Sequence, residues 1–157
     1  MIELGKCKKI FLDFDGVIVD SNKFKELAIE NSIFKLLGLN QKNIKAINYF
    51  NENAGISRKI KLKKFYDDKE VLKILELYAE ECHKFFSQAK PSNGLKVFID
   101  YLKINYKNIK LYVLSGGEDC EIKLFLEKNF LLGYFEDILA SKQSKVIHLR
   151  NLKATAN

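Results

Sequence analysis

The chain has few of the residues that rigidify or cross-link a backbone. Its 157 residues include one proline, Pro91, no tryptophan and three cysteines, Cys7, Cys82 and Cys120. Three cysteines without paired spacing exclude a disulfide-stapled scaffold and offer no zinc-ligand pattern, so free reduced thiols are expected. No apolar run approaches the roughly 20 residues a membrane helix needs. Lys and acidic residues interrupt every apolar run before Asp20, so no secretory leader is expected and the cytoplasm is the expected location. Arginine is scarce as well: the net charge of +7 is almost wholly lysine, with only Arg58 and Arg150 beside it. Base-edge recognition leans on Arg, Asn and Gln, and the lysines are scattered through helical stretches as solvated faces. No nucleic-acid partner and no membrane partner are therefore expected; the excess charge is at most a modest attraction for an anionic substrate. What the chain does have is apolar mass, 47% hydrophobic residues with 12 Phe, enough for one packed domain or a core with a small insertion.

The most informative stretch is Ile10 to Ser21, I-F-L-D-F-D-G-V-I-V-D-S. The apolar Ile10-Phe11-Leu12 leads into Asp13, and Asp15-Gly16 follows. Residues two apart on a strand share a face, so the two acids fall together if the strand continues. Packing alone does not place two acids at the end of a buried strand, because unpaired buried charge is costly. The carboxyl end of a parallel strand is where open α/β sheets keep their sites. There, one carboxylate can act as nucleophile or metal ligand and the other can move a proton. A plain strand and Asp-Gly turn would explain Asp15-Gly16 but not Asp13.

Along the chain, Lys8 to Asp13 reads as a first strand. Ser21 or Asn22 then caps a helix that carries Phe24, Leu27, Ala28, Phe34, Leu36 and Leu37 and stops at Gly38. Asn40 to Asn53 is polar and weakly periodic, a short helix with a loop. Gly55-Ile56-Ser57-Arg58 reopens a helix through Phe65-Tyr66. Asp67-Asp68 punctuates, and Val71, Ile74, Leu75, Tyr78, Cys82, Phe85 and Phe86 form an apolar stripe. Residues 21–90 thus read as a helical block inside an α/β chain. Pro91-Ser92-Asn93-Gly94 marks its end. After it come a helix with Leu95, Val97, Phe98, Tyr101 and Leu102, a buried strand Ile109–Leu114, a helix from Glu118 to Asn129, a short strand within Phe135–Ala140, and a last helix with Val146, Ile147, Leu149 and Leu152. Alternating β and α elements predict a parallel three-layer α/β sheet built from residues 1–20 and 91–157.

Each strand end suits a phosphate. Ser115-Gly116-Gly117, before a helix, offers a hydroxyl and backbone N–H groups. Lys145, after the third strand, offers a fixed positive charge. Taken alone, the first reads equally as a loop with a helix cap and the second as an exposed lysine; it is their order after the two acids that carries the argument.

D-F-D-G-V-I-V-D-S, L-Y-V-L-S-G-G and I-L-A-S-K-Q-S-K resemble, in that order, the first three motifs of the haloacid dehalogenase superfamily of aspartate-nucleophile phosphohydrolases. The helical block resembles the cap of its phosphoglycolate phosphatase-like branch, and N-A-G-I-S-R, ending at Arg58, is similar to a cap segment in a subgroup of that branch. The resemblance implies a three-layer Rossmann-like core with an inserted α-helical cap. It implies a Mg²⁺-dependent phosphatase of a small phosphorylated metabolite. In it Asp13 attacks phosphorus, Asp15 moves the proton, Asp13 and the Asp15 carbonyl hold Mg²⁺, Ser115 and Gly116 grip the phosphoryl group, and Lys145 steadies the nucleophile, with Lys142 as the alternative lysine. Arg58 is a candidate for substrate contact, with a solvated helix face as the competing reading. The resemblance also implies a fourth motif, an acid-ending strand beside the first. No acid pair follows an apolar run after Lys145, and Glu118 and Asp119 are more simply helix-start residues. Weaker Mg²⁺ binding is therefore expected, as is an exposed sheet edge open to pairing with a second copy as a homodimer. The competing functional reading is the same fold in a catalytically impaired form. A phosphate-signalling receiver domain would lack the helical block, and a dehalogenase would not need the acid at Asp15.

Overall fold

The computed structural model describes residues 4–53, 56–141 and 143–154, the last three by backbone alone. The chain separates into two compact units, one comprising residues 1–20 with 87–157 and the other residues 21–86.

The first unit is α/β. Strands β1 (Lys9–Leu12), β2 (Lys110–Leu114) and β3 (Asp137–Leu139) form a parallel sheet in the order β1-β2-β3. Leu12 stands opposite Val113, and Leu114 opposite Leu139, so the three strands finish at one end of the sheet. Parallel neighbours need a long return connection. Helix α6 (Asp119–Lys128) supplies it between β2 and β3, and α5 (Leu95–Asn105) leads back into β2. β2 is the central strand and is buried from Leu111 to Leu114, as the continuous apolar run predicts. Tyr112, Leu114 and Leu139 cluster, and Phe11 stacks on Tyr112 at 5.1 Å.

Two helices of this unit differ from expectation. In α5 the buried residues are Leu95, Ile99 and Leu102, spaced four and three apart, while Val97 is 74% exposed and Phe98 and Tyr101 also face outward. A residue two beyond Leu95 lies on the far side of a helix whatever its hydropathy, so the stripe drawn through Val97 fails on geometry. In α7 (Lys145–Ala154) the apolar Val146, Ile147 and Leu149 are exposed. The described anchor of this helix is polar: His148 Nε2 lies 2.8 Å from the Ala140 carbonyl at the end of β3.

The second unit is helical and holds α1 (Asn22–Leu37), α2 (Gln41–Glu52), α3 (Arg58–Lys63) and all but the last two residues of α4 (Asp68–Gln88). Helix α1 stops at Gly38, whose φ of 71° and ψ of −179° suit glycine almost alone. The Asn-rich stretch forms a helix of 12 residues, α2, rather than a short helix with a loop. Its propensity is poor, and side chains compensate. Asn40 Oδ1 caps the helix by accepting from the Asn43 N–H at 2.9 Å. The buried Asn43 amide donates to the Gly38 carbonyl at 2.7 Å and accepts from the Tyr66 hydroxyl at 2.9 Å. Ala46, Ile47 and Phe50 then bury one face. Helix α3 ends at Lys63, short of Tyr66, because the Phe65 and Tyr66 N–H groups both turn back to the Leu62 carbonyl. Before α4, Asp67 and Glu70 each accept from the other's backbone N–H, at 2.8 and 3.2 Å, a reciprocal cap. Val71, Ile74, Tyr78, Cys82 and Phe86 bury the stripe read from sequence. All three cysteines are free thiols. Among the described residues no helix is long and apolar enough to cross a membrane.

Candidate active site

The site begins where β1 ends. Phe14 is fully buried, with its ring edge-on to Phe125 at 5.4 Å, while Asp13 and Asp15 on either side of it are partly exposed. Strand-like alternation thus anchors the aromatic ring inward and leaves both carboxylates within reach of solvent. Asp13 Oδ1 accepts from the Phe14 N–H at 2.8 Å. At Gly16 φ is 77°, a left-handed value that favours glycine. The chain then doubles back: the Gly16 N–H donates to the Val19 carbonyl at 2.8 Å, and the Ile18 and Val19 N–H groups donate to the Phe14 carbonyl. This turn explains the apolar Val17-Ile18-Val19, of which Ile18 and Val19 are buried and Val17 is exposed. Asp20 is exposed and Ser21 fully buried.

The ends of β2 and β3 are laced together. The Ser115 N–H donates to the Leu139 carbonyl at 2.9 Å and the Ser141 N–H to the Gly117 carbonyl at 3.0 Å. Ser115 is buried, and its Oγ accepts from the Gly117 N–H at 2.9 Å. Gly116 between them is exposed, with open space where a side chain would stand. The Ser141 hydroxyl donates to Glu118 at 3.1 Å. Nothing in the sequence singles out Ser141 beyond its place in a serine- and lysine-rich loop after β3. Glu118 stands at the start of α6 but its side chain makes no capping bond, and Asp119 in the first turn pairs with Lys123 at 2.8 Å.

Lys145 opens α7 and places Nζ 2.5 Å from Asp13 Oδ2, across 132 residues of sequence. Both side chains are about 40% exposed, at 41% and 43%. A pair this open to water contributes at most about 1 kcal/mol to stability; its value is positional. Asp13, Ser115 and Lys145 therefore follow the carboxyl ends of three adjacent parallel strands, and Asp13 and Lys145 touch. Such an arrangement sets a carboxylate, an ammonium, a hydroxyl and exposed backbone around one strand-end region, the set of groups needed to hold and attack a tetrahedral oxyanion.

Of the remaining sequence candidates, Lys142 and Gly55 lie outside the described residues. Arg58 belongs to the helical unit, half-buried with its guanidinium 4.7 Å from the Tyr78 ring centroid, rather than on a fully solvated face. Among the described residues no three acidic, His or Cys side chains gather as a metal cluster. The oxygen donors the strand end can offer are the Asp13 carboxylate and the Asp15 backbone carbonyl. Two such ligands fit a hard cation that keeps most of its waters and takes further oxygens from a bound phosphate.

Comparisons with known proteins agree with this fold. Among solved structures the chain is similar to a predicted phosphatase from Clostridium acetobutylicum, with 19% identity and a TM-score of 0.71 over 96% of this chain and 71% of the other. It is similar to CbbY from Rhodobacter sphaeroides in complex with phosphate, with 13% identity and a TM-score of 0.68 over 94% and 73% of the two chains. It is also similar to a haloacid dehalogenase-like family hydrolase from Streptococcus pneumoniae, with 17% identity and a TM-score of 0.66 over 95% and 70%. At these identities the likeness is one of fold, an α/β core of parallel strands. No curated protein matches the chain. The family model for haloacid dehalogenase-like hydrolases matches residues 10–147, a span that includes β2, β3, all of β1 but Lys9, and both Asp13 and Lys145, and the chain belongs to that family.

Proposed function

We propose that the chain is a phosphoric monoester hydrolase acting on a small phosphorylated metabolite through an aspartyl phosphate on Asp13. The observation that carries the proposal is the 2.5 Å contact between Lys145 and Asp13, beside the Ser115-Gly116-Gly117 strand end. Membership of a hydrolase family and the phosphatase names of the structural relatives support the same reading.

In this scheme an Asp13 oxygen attacks phosphorus and the ester oxygen leaves with a proton from Asp15. Asp15, now a carboxylate, takes a proton from water as that water attacks the aspartyl phosphate, which releases phosphate and restores Asp13. Ser115 Oγ and the Gly116 N–H hold the transferring oxygens, and Lys145 orients Asp13 and offsets the charge that gathers in the transition state. Mg²⁺, when bound through the Asp13 carboxylate and the Asp15 backbone carbonyl, supplies further positive charge against the phosphoryl oxygens.

The test is Mg²⁺-dependent release of phenolate from an aryl phosphate by the chain and by Asp13→Asn. Turnover that is present in the first, abolished by chelation and lost in the second supports the hydrolase. Equal, near-zero rates support the alternative, a fold that keeps a phosphate site without turnover. A panel of phosphorylated metabolites then identifies the substrate, which fold alone does not specify.

A further inference from the structure

Helix α7 meets the sheet through polar side chains. Among its described side chains only Lys145 and His148 are partly buried, while Val146, Ile147 and Leu149 are exposed. Residues three apart share a helix face, so the shielded face of α7 carries an ammonium and an imidazole. Lys145 reaches Asp13 after the end of β1, and His148 Nε2 lies 2.8 Å from the Ala140 carbonyl after the end of β3. β1 and β3 are the outer two of the three described strands, with β2, and Ser115 after it, between them. One helix face thus spans the strand ends that frame the candidate site.

A carbonyl oxygen only accepts, so the proton of this bond lies on His148 Nε2. The point it grips is itself fixed. On one side of Ala140 the Leu139 carbonyl accepts from the Ser115 N–H, and on the other the Ser141 N–H donates to the Gly117 carbonyl. Ala140 is buried between them. Lys145, by contrast, carries its charge on a long flexible stem, and such a side chain keeps one place only where its backbone is held. Burial of Val146, Ile147 and Leu149 does not supply that hold, since all three face water. The His148 bond does. The His148 N–H donates to the Ser144 carbonyl at 3.1 Å, so the imidazole belongs to the same first turn as Lys145 and ties that turn to the laced ends of β2 and β3.

We infer that His148 is a positioning residue: its imidazole fixes the start of α7 against the end of β3 and so sets Lys145 on Asp13. The consequence for turnover rests on the hydrolase reading; the placement of Lys145 does not.

The experiment has two arms, both on the 157-residue chain. The first is NMR of the chain labelled with ¹³C in its lysine side chains, the Lys145 ε-methylene signal being the one lost in Lys145→Met. An ammonium held on Asp13 gives the two ε protons distinct shifts. In His148→Phe, which keeps a ring and loses the donor, those shifts should merge as the ammonium swings free. In His148→Gln, whose side-chain amide N–H can reach the same carbonyl, they should stay apart. The second arm is Mg²⁺-dependent hydrolysis of an aryl phosphate. His148→Phe should lower kcat roughly 10-fold to 10²-fold with KM little changed, the effect of misplacing a group that acts in the transition state. His148→Gln should recover most of that loss. In a Lys145→Met background His148→Phe should cause no further loss, because the two side chains act as one unit. A merely structural histidine would lower kcat by the same factor in both backgrounds. His148→Leu is a second variant, read where the circular dichroism of His148→Phe departs from the parent. Lys145 ε-proton shifts already merged in the parent, distinct shifts that persist in His148→Phe or His148→Leu, or equal losses of kcat in the two backgrounds would overturn the inference. A parent chain without turnover overturns the hydrolase reading and not this one, which the lysine signal alone then decides.

Discussion

The two units of the chain give their lysines opposite surroundings. In the α/β unit Lys145 is half in water and faces a carboxylate. In the helical unit Lys61 is buried, bonded to a carbonyl, and pressed by other cations. The first arrangement adds little to stability and stays open to solvent, as a group that must neutralise passing charge should be. The second costs the folded state free energy at neutral pH. The difference separates a lysine set against a carboxylate at the surface from one buried against a carbonyl and an aromatic face.

The sharpest way to break the comparison is at Asp13. If Lys145 is positioned to serve it, Asp13→Asn should lower phosphate-ester hydrolysis by about 10⁴-fold or more, with unfolding unchanged. Next are the aromatic anchors, one from each unit. Phe125→Ala in the α/β unit and Phe86→Ala in the helical unit each remove a fully buried ring and should cost about 3–5 kcal/mol in denaturant unfolding. A much smaller loss for either would show a loosely packed unit. Lys145→Met should reduce kcat by roughly 10²-fold to 10³-fold while leaving the melting temperature within a degree or two, as the exposure of the pair requires. Lys61 should behave in the opposite manner. Its proton is held less tightly folded, at about 8, than unfolded, at 10.5. Between those values the unfolded chain binds the extra proton, so the Lys61 contribution to stability rises with pH across that window and is fully unfavourable below about 8. The stability of the parent relative to Lys61→Met should therefore climb from pH 8 to 10, measured by urea unfolding at each pH. Smallest of all, Lys123→Ala removes an exposed pair with Asp119 and should leave the urea midpoint unchanged within error.

Strand-end acids could be read from sequence because burial and chemistry pull in opposite directions there: Ile10-Phe11-Leu12 demands the interior and Asp13 refuses it. The same tension marked Ser115 after Leu111–Leu114. Helix α2 was harder to see. Its stability depends on Asn43 reaching Gly38 and Tyr66, contacts with residues on either side of the helix that no window of periodicity contains. At Val97 hydropathy and helical phase disagree and phase decides, which is why Ile99, four residues after Leu95, takes the buried place. Lys61 was invisible among many lysines, since nothing local distinguishes a lysine that will be buried. The one available signal was its position three residues after Arg58, which puts two cations on one helix face.

The fully buried Phe14 ring between two carboxylates has a consequence for how the chain tolerates error. A threading mistake of one position in the first strand would push an acid into the hydrophobic interior and turn an aromatic ring out to water. Such a product would bury an unpaired carboxylate and lose the packing of a buried ring, so folding itself disfavours copies whose reactive pair is out of place.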